Sequence, residues 1–251
     1  MATPYFAETC DMLSQWLHKC IHRSVQAQCD LCRLPIDNPH GAYWCLSCQN
    51  LMKEEHQCSQ CGLPFDISTT SCGQCLTSPP LWDRLYCVGQ YQRPLSMYIH
   101  KLKHGNQFWQ ARNLAHLLAE KVVQPPDSIT SVPLHWQRQL KRGFNQSELL
   151  ASELSKLLAV PLEPKLFSRV QPTKQQQGLS KTQRLHNVQR AFQINRAPRS
   201  EHIAIVDDVV TTGATVNQLV KLLRNQNVKT CLLYTSPSPR DRSLSRMPSS
   251  A

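Results

Sequence analysis

Residues 203–215 read IAIVDDVVTTGAT, and this stretch decides the fold. Four apolar residues run into two adjacent aspartates, and a short threonine- and glycine-containing turn follows. An apolar run this short, bounded by turn residues, reads as a buried strand. The spacing then predicts a helix over 215–225, with Val216, Leu219, Val220 and Leu223 facing inward. Strand, turn and helix in that order form the repeating unit of a parallel α/β sheet. Ligands of such sheets bind beyond the carboxyl ends of the strands, which is where Asp207 and Asp208 fall.

The chemistry follows from the residue types. A helix N-terminus presents N–H groups without intrahelical partners and carries partial positive charge, so it suits a phosphate. Gly213 permits close backbone approach, and Thr211, Thr212 and Thr215 add hydroxyls around Ala214. Two carboxylates beside a phosphate would repel it. They make sense if they accept hydrogen bonds from sugar hydroxyls or act through Mg²⁺, and a phosphorylated ribose offers both groups. The Mg²⁺-binding partner of a P-loop would need G-x-x-x-x-G-K-[ST], which this chain lacks.

Outward from this stretch, the same alternation holds over 83–230. Strands are expected at 85–91 and 129–132, and helices at 95–103, 108–123 and 145–158. Upstream, eight cysteines form four C-x-x-C pairs: Cys29/Cys32, Cys45/Cys48, Cys58/Cys61 and Cys72/Cys75. Each pair lets two sulfurs meet one ion, and four thiolates are a preferred shell for structural zinc. Two Zn²⁺ sites are expected in a double-ribbon module over 25–80. One zinc with spare thiols, or an iron–sulfur cluster, is the alternative. Sequential pairing closes shorter loops than interleaved pairing and is favoured on that ground. Gly62 and Gly73 sit where a knuckle would need positive φ.

Residues 1–24 read as an amphipathic helix through Phe6, Cys10, Leu13, Leu17 and Cys20. The N-terminus has acids and no apolar core, so no secretory signal is expected, and no run approaches the ~18 apolar residues of a membrane span. A cytoplasmic location is expected. The net charge of +11 suits phosphates, nucleotides or nucleic acid. Residues 231–251 are rich in Ser, Pro and Arg. One allowed codon choice for Cys231–Ser236 is TGTCTCTTATACACATCT, which resembles a transposon end used in sequencing adapters. The tail is therefore expected to be non-native, with the native frame leaving near Thr230. Its three arginines outweigh Asp241, so without it the charge falls from +11 to +9.

The acidic strand end resembles the phosphoribosyl-pyrophosphate (PRPP) motif of type I phosphoribosyltransferases. YQRPLSMYIHKLKHGN (91–106), SVPLHWQRQLKRGFNQSELLA (131–151) and QQGLSKTQRLHNVQRAF (176–192) are similar to segments of the ComF family, as are the cysteine pairs. The resemblance implies a type I phosphoribosyltransferase fold behind a zinc module. It places Asp207 and Asp208 on the ribose hydroxyls and residues 211–215 around the 5′-phosphate. Val132, Pro133 and Leu134 become the pyrophosphate loop, with Arg138, Lys141 and Arg142 as its cations. Residues 171–185 become a mobile loop offering Gln176, Lys181 and Arg184. It also implies a role in DNA uptake, natural transformation or use of DNA as a nutrient. Two functions stay open. One is transfer from PRPP with Mg²⁺. The other is a binder of single-stranded DNA, with Tyr91, Trp109 and Trp136 as stacking platforms.

Overall fold

The computed structural model describes residues 27–36, 43–53, 56–64, 70–170, 191–211 and 213–237. The amphipathic helix expected over 1–24, Thr212, and the mobile-loop residues Gln176, Lys181 and Arg184 lie outside the described residues. The chain divides into two compact units, Met1–Leu51 and Met52–Ala251. The division falls inside the expected 25–80 module. The first cysteine group belongs to one unit, and the second belongs with the α/β domain.

In the first unit, Cys29 and Cys32 lie on a tight turn, and Cys45 and Cys48 flank and enter a one-turn helix, α1 (Leu46–Asn50). The second unit opens on the same design. Cys58 and Cys61 occupy the turn, and Cys72 and Cys75 the start of α2 (Gly73–Thr77). The two knuckles are one motif used twice. QCDLCRLP (28–35) and QCSQCGLP (57–64) each close on a Gln-to-Pro bridge, Gln28 with Pro35 and Gln57 with Pro64. Each first cysteine donates its N–H to the leucine five residues on, at 2.8 Å from Cys29 and 2.9 Å from Cys58. The positive-φ position is Gly62 in one copy and Arg33 in the other. Gly73, expected to take positive φ, is instead an ordinary helical residue.

The α/β domain is built on a four-stranded parallel sheet in the order β1-β6-β5-β2. Its strands are β1 (Arg84–Gly89), β2 (Ser128–Ser131), β5 (His202–Asp207) and β6 (Thr230–Pro237). Between β1 and β2 run α3 (Leu95–His104) and α4 (Trp109–Ala119). After β2 come α5 (Trp136–Arg142) and α6 (Gln146–Leu158), and α7 (Ala214–Arg224) joins β5 to β6. A hairpin of β3 (Phe167–Arg169) and β4 (Phe192–Ile194) brackets residues 171–190.

Side chains alternate across the sheet, as a two-residue period demands. Leu85, Cys87, Ile203, Ile205, Cys231 and Leu233 meet Val216, Leu219, Val220 and Leu223 of α7 in one core. The helices α3, α4 and α6 pack against the sheet as well. The sheet's second face carries Ala204, Val206, Leu232 and the Tyr86–Tyr234 pair, whose rings meet edge-on at 5.4 Å.

Three differences from expectation matter. The helix expected to reach Val123 ends at Ala119, ahead of Pro125 and Pro126, and leaves Val123 exposed. The basic run after the β2 loop is itself a helix, α5, ended by Gly143 at φ 78°. The tail expected to be non-native also supplies a strand: β6 is central, hydrogen-bonded to β5 from His202 to Asp207 and to β1 from Arg84 to Gly89.

Candidate functional site

The site forms where β5 and β2 end side by side. The register pairs Ser131 with Val206, and Val132 N–H donates to the Val206 carbonyl at 2.9 Å. The expected pyrophosphate loop, Val132–Leu134, therefore lies beside the expected ribose carboxylates. Asn145 ties the loop to the next helix. Its side-chain amide donates to the Val132 carbonyl at 3.0 Å, and its Oδ1 accepts the Ser147 N–H at 3.1 Å as the cap of α6.

The first turn of α6 holds both acids. Ser147 Oγ donates to Asp207 Oδ1 at 3.2 Å and accepts the Asp208 N–H at 3.1 Å. Asp208 Oδ1 accepts the Val209 N–H at 2.9 Å, and Asp208 Oδ2 pairs with Lys103 Nζ of α3 at 2.8 Å. The electrostatics split the pair. Burial, reinforced by the neighbouring Asp208 charge, pushes the Asp207 carboxyl well above the usual carboxylate range. Burial would raise Asp208 too, but the Lys103 ammonium outweighs it and holds Asp208 below its ordinary value. Ser147 and Lys103 were missed in the sequence. Each is a common residue on an ordinary helix, and only the fold brings it to residues 207 and 208.

The turn after Asp208 leads to Gly213, the N-cap of α7, at φ 70° and with no side-chain cap. Ala214 is buried and Thr215 partly so, and Thr211 is partly exposed. As N-cap, Gly213 itself supplies no side-chain oxygen of the kind that Ser, Thr, Asn or Asp would bring to that position.

On the β2 side, a cleft of about 480 Å³ is lined by Pro133, Leu134, Trp136, Glu148, Phe167 and Arg169, among others. Burial, with the Arg138 charge nearby, lowers the Arg169 guanidinium to about 10, against an opposing pull from Asp207. Two arginines within electrostatic reach of one another favour an anion. Arg138, expected as a cation of the β2 loop, does not line the cleft, although its charge reaches Arg169. Arg169 was missed because it precedes the mobile-loop segment instead of following the β2 loop. Arg142 donates to Gln146 Oε1 at 3.0 Å, at the start of α6.

The cysteines group sequentially: Cys29, Cys32, Cys45 and Cys48 in one set, Cys58, Cys61, Cys72 and Cys75 in the other. Within each set all four sulfurs lie within 4.8 Å of one another. Zinc–sulfur bonds of about 2.3 Å in a tetrahedron require sulfurs ~3.8 Å apart. Cys32 and Cys45 stand at 3.8 Å, and Cys61 and Cys72 at 3.6 Å. Cys45 N–H points at Cys29 Sγ (3.4 Å) and Cys72 N–H at Cys58 Sγ (3.2 Å). Burial opposes ionisation of Cys29 and Cys58, yet such backbone donors bring them down to about 6 and about 7. Both sets can hold a zinc ion. With four protein ligands each, such sites leave no open position for catalysis.

The phosphoribosyl transferase domain family matches residues 143–247, which contain Asp207, Asp208 and the 211–215 turn. The α/β domain is thus a phosphoribosyltransferase domain, joined to two four-cysteine knuckles. The chain is 37% identical to the DNA utilization protein YhgH of Salmonella typhimurium over 84% of its length and 96% of that protein's. It is 39% identical to Competence protein F of Haemophilus influenzae, over 74% of its own length and 86% of the relative's. With Competence protein ComFC of Streptococcus pneumoniae it shares 26%, over 68% of its length and 83% of that protein's. The chain belongs to the ComF/YhgH family. Among the described residues, no helix is long and apolar enough to cross a membrane.

Proposed function

We propose that the edge formed by β5 and β2 binds PRPP or a nucleotide phosphate together with Mg²⁺, in a cytoplasmic protein that serves DNA uptake or utilisation. One juxtaposition carries the reading: the Asp207–Asp208 pair lies between the start of α7 and the Val132–Leu134 loop. The α7 turn suits a 5′-phosphate, the carboxylates suit ribose hydroxyls or Mg²⁺, and the loop with Arg138 and Arg169 suits pyrophosphate. Names of relatives support the DNA-related role. Calorimetry with PRPP, ribose 5-phosphate, nucleotides and single-stranded DNA, each with Mg²⁺, tests it. Binding of a phosphorylated ribose that is lost in Asp207→Asn and Asp208→Asn is expected. Equal binding in those variants would overturn the site.

Transfer chemistry is the second reading, favoured by Lys165 and Arg169 in the lining of the cleft. An acceptor nitrogen would attack C1 of PRPP, the bond from C1 to pyrophosphate would break, and the nitrogen's proton would pass to solvent. Fixed cations then stabilise the charge gathering on the leaving group. Pyrophosphate release with a nucleobase or amine acceptor separates this from binding alone. Trp109 and Trp136 are both more than half exposed, at 56% and 59%, which supports a reading in which they stack bases of single-stranded DNA.

A further inference from the structure

We infer that Trp82 is a strut through which the second four-thiolate site sets the phosphate turn, so that zinc occupancy there regulates ligand binding. The inference rests on the reading of residues 211–215 as a phosphate cradle. Trp82 is 5% exposed and belongs to the core beneath the turn. Its ring lies so close to Gly213 that a Cβ added there would stand 2.5 Å from Trp82 Cη2 and 2.8 Å from Cζ3. The other end of the indole is held by the knuckle. Trp82 Nε1 donates to the carbonyl of Gln60 at 2.6 Å, and Gln60 lies between the ligands Cys58 and Cys61.

Two more bonds fix the knuckle to the sheet: Leu85 N–H to the Ser59 carbonyl at 2.7 Å, and Cys87 Sγ to Gln57 Oε1 at 3.1 Å. The adjoining Leu81 N–H meets Asn217 Oδ1, one turn into α7, at 3.2 Å. A metal ion bound by Cys58 and Cys61 fixes the path of the backbone between them, and with it the Gln60 carbonyl. The indole then transmits that position to Gly213, whose missing side chain is what lets the ring approach. Loss of the ion frees the carbonyl, and a buried indole N–H loses its acceptor. The ring is no longer held against the turn.

Coupling of this kind is reciprocal: if zinc orders the turn, a ligand in the turn must tighten zinc. The full chain with Cys48→Ser, which disables the first site, reports zinc affinity at the second by competition with a chromophoric chelator. Saturating ribose 5-phosphate is expected to raise that affinity about 5-fold or more. Trp82→Phe keeps the ring and removes the N–H, and is expected to abolish the gain. Ribose 5-phosphate that binds without changing zinc affinity overturns the strut.

If ribose 5-phosphate does not bind the wild-type chain at all, the phosphate reading fails instead. The strut is then judged by amide exchange at residues 213–216. Faster exchange after zinc removal from the wild-type protein supports it, and unchanged exchange there overturns it. Gly213→Ala supplies an independent check. It is expected to be less damaging in a Trp82→Leu background than alone, whereas equal damage in both backgrounds would count against the contact.

Discussion

Lys103 and Asp208, 105 positions apart in the chain, meet as an ion pair at 2.8 Å, with side chains only 21% and 17% exposed. The ammonium is what allows two adjacent carboxylates to share one strand end. Replacing Lys103 by Met leaves Asp208 partly buried without its counter-charge. A loss of about 1.5–3 kcal/mol is expected, the range for a hydrogen bond to a charged group. Urea unfolding at neutral pH measures it, and Lys103→Arg should recover part of the loss. The sign with pH is fixed. Asp208 is depressed in the folded state, so its contribution is present above its unfolded value and lost as pH falls through the folded one. The gap between wild type and Lys103→Met must therefore narrow in acid.

Asp207 behaves in the opposite sense. Its folded value is raised, so its proton is retained as pH rises past the ordinary carboxylate range. That contribution to stability is present below the unfolded value and lost as pH climbs through the folded one. Mg²⁺ or ribose hydroxyls require the ionised form, so affinity for ribose 5-phosphate with Mg²⁺ should increase with pH, by at most roughly tenfold per unit for one proton. Asp207→Asn should remove that dependence. An unchanged slope in the variant would assign the proton to another group.

The sequence made the acidic strand end legible because its chemistry is local: a buried strand, two acids and a glycine turn lie within thirteen residues. The cysteine sets were legible for the same reason, since spacing alone nearly defines a tetrahedral thiolate site. Lys103, Ser147, Arg169 and Trp82 were not: even where the segment was family-like, as around Lys103 and Ser147, nothing local singles out the residue. Each acquires its role from a contact made across the fold. β6 was obscured differently: Cys231–Tyr234 is a short apolar run that suits a strand buried on both faces, but its composition and codon reading drew attention to its origin.

The two knuckles should separate on metal removal. Two zinc ions per chain are expected by metal analysis, with one lost in Cys48→Ser and one in Cys75→Ser. The second knuckle bonds to Trp82, Leu85 and Cys87, so Cys75→Ser should lower the melting temperature of the α/β domain. Cys48→Ser lies in the other compact unit and should leave that transition in place. Equal shifts from the two variants would show that this division does not hold in solution.

Arg169 is expected to act on pyrophosphate. Arg169→Gln removes one of two neighbouring cations and should weaken pyrophosphate binding by about 1.5–3 kcal/mol, roughly 10- to 150-fold. The remaining affinity should depend less on salt. Binding of ribose 5-phosphate, which lacks pyrophosphate, should change little. A loss common to both ligands would mean that Arg169 supports the fold of the site and not the leaving group.

β6 supplies the last prediction. Cys231 and Leu233 fill the core shared with α7, and Tyr234 packs edge-on against Tyr86 on the opposite face. All three are buried, and the strand lies between β5 and β1, so its loss would leave β1 without its sheet partner. Leu233→Asp places an unpaired charge in that core and should abolish cooperative unfolding altogether. Truncation after Thr230 should do the same. The sheet therefore demands two apolar faces at 231–234, whatever residues supply them. Sequencing the native locus is expected to show a different run after Thr230 that is apolar on both faces. Recovery of CLLYTSPSPRDRS in an open native frame would overturn the adapter origin and make these residues the protein's own central strand.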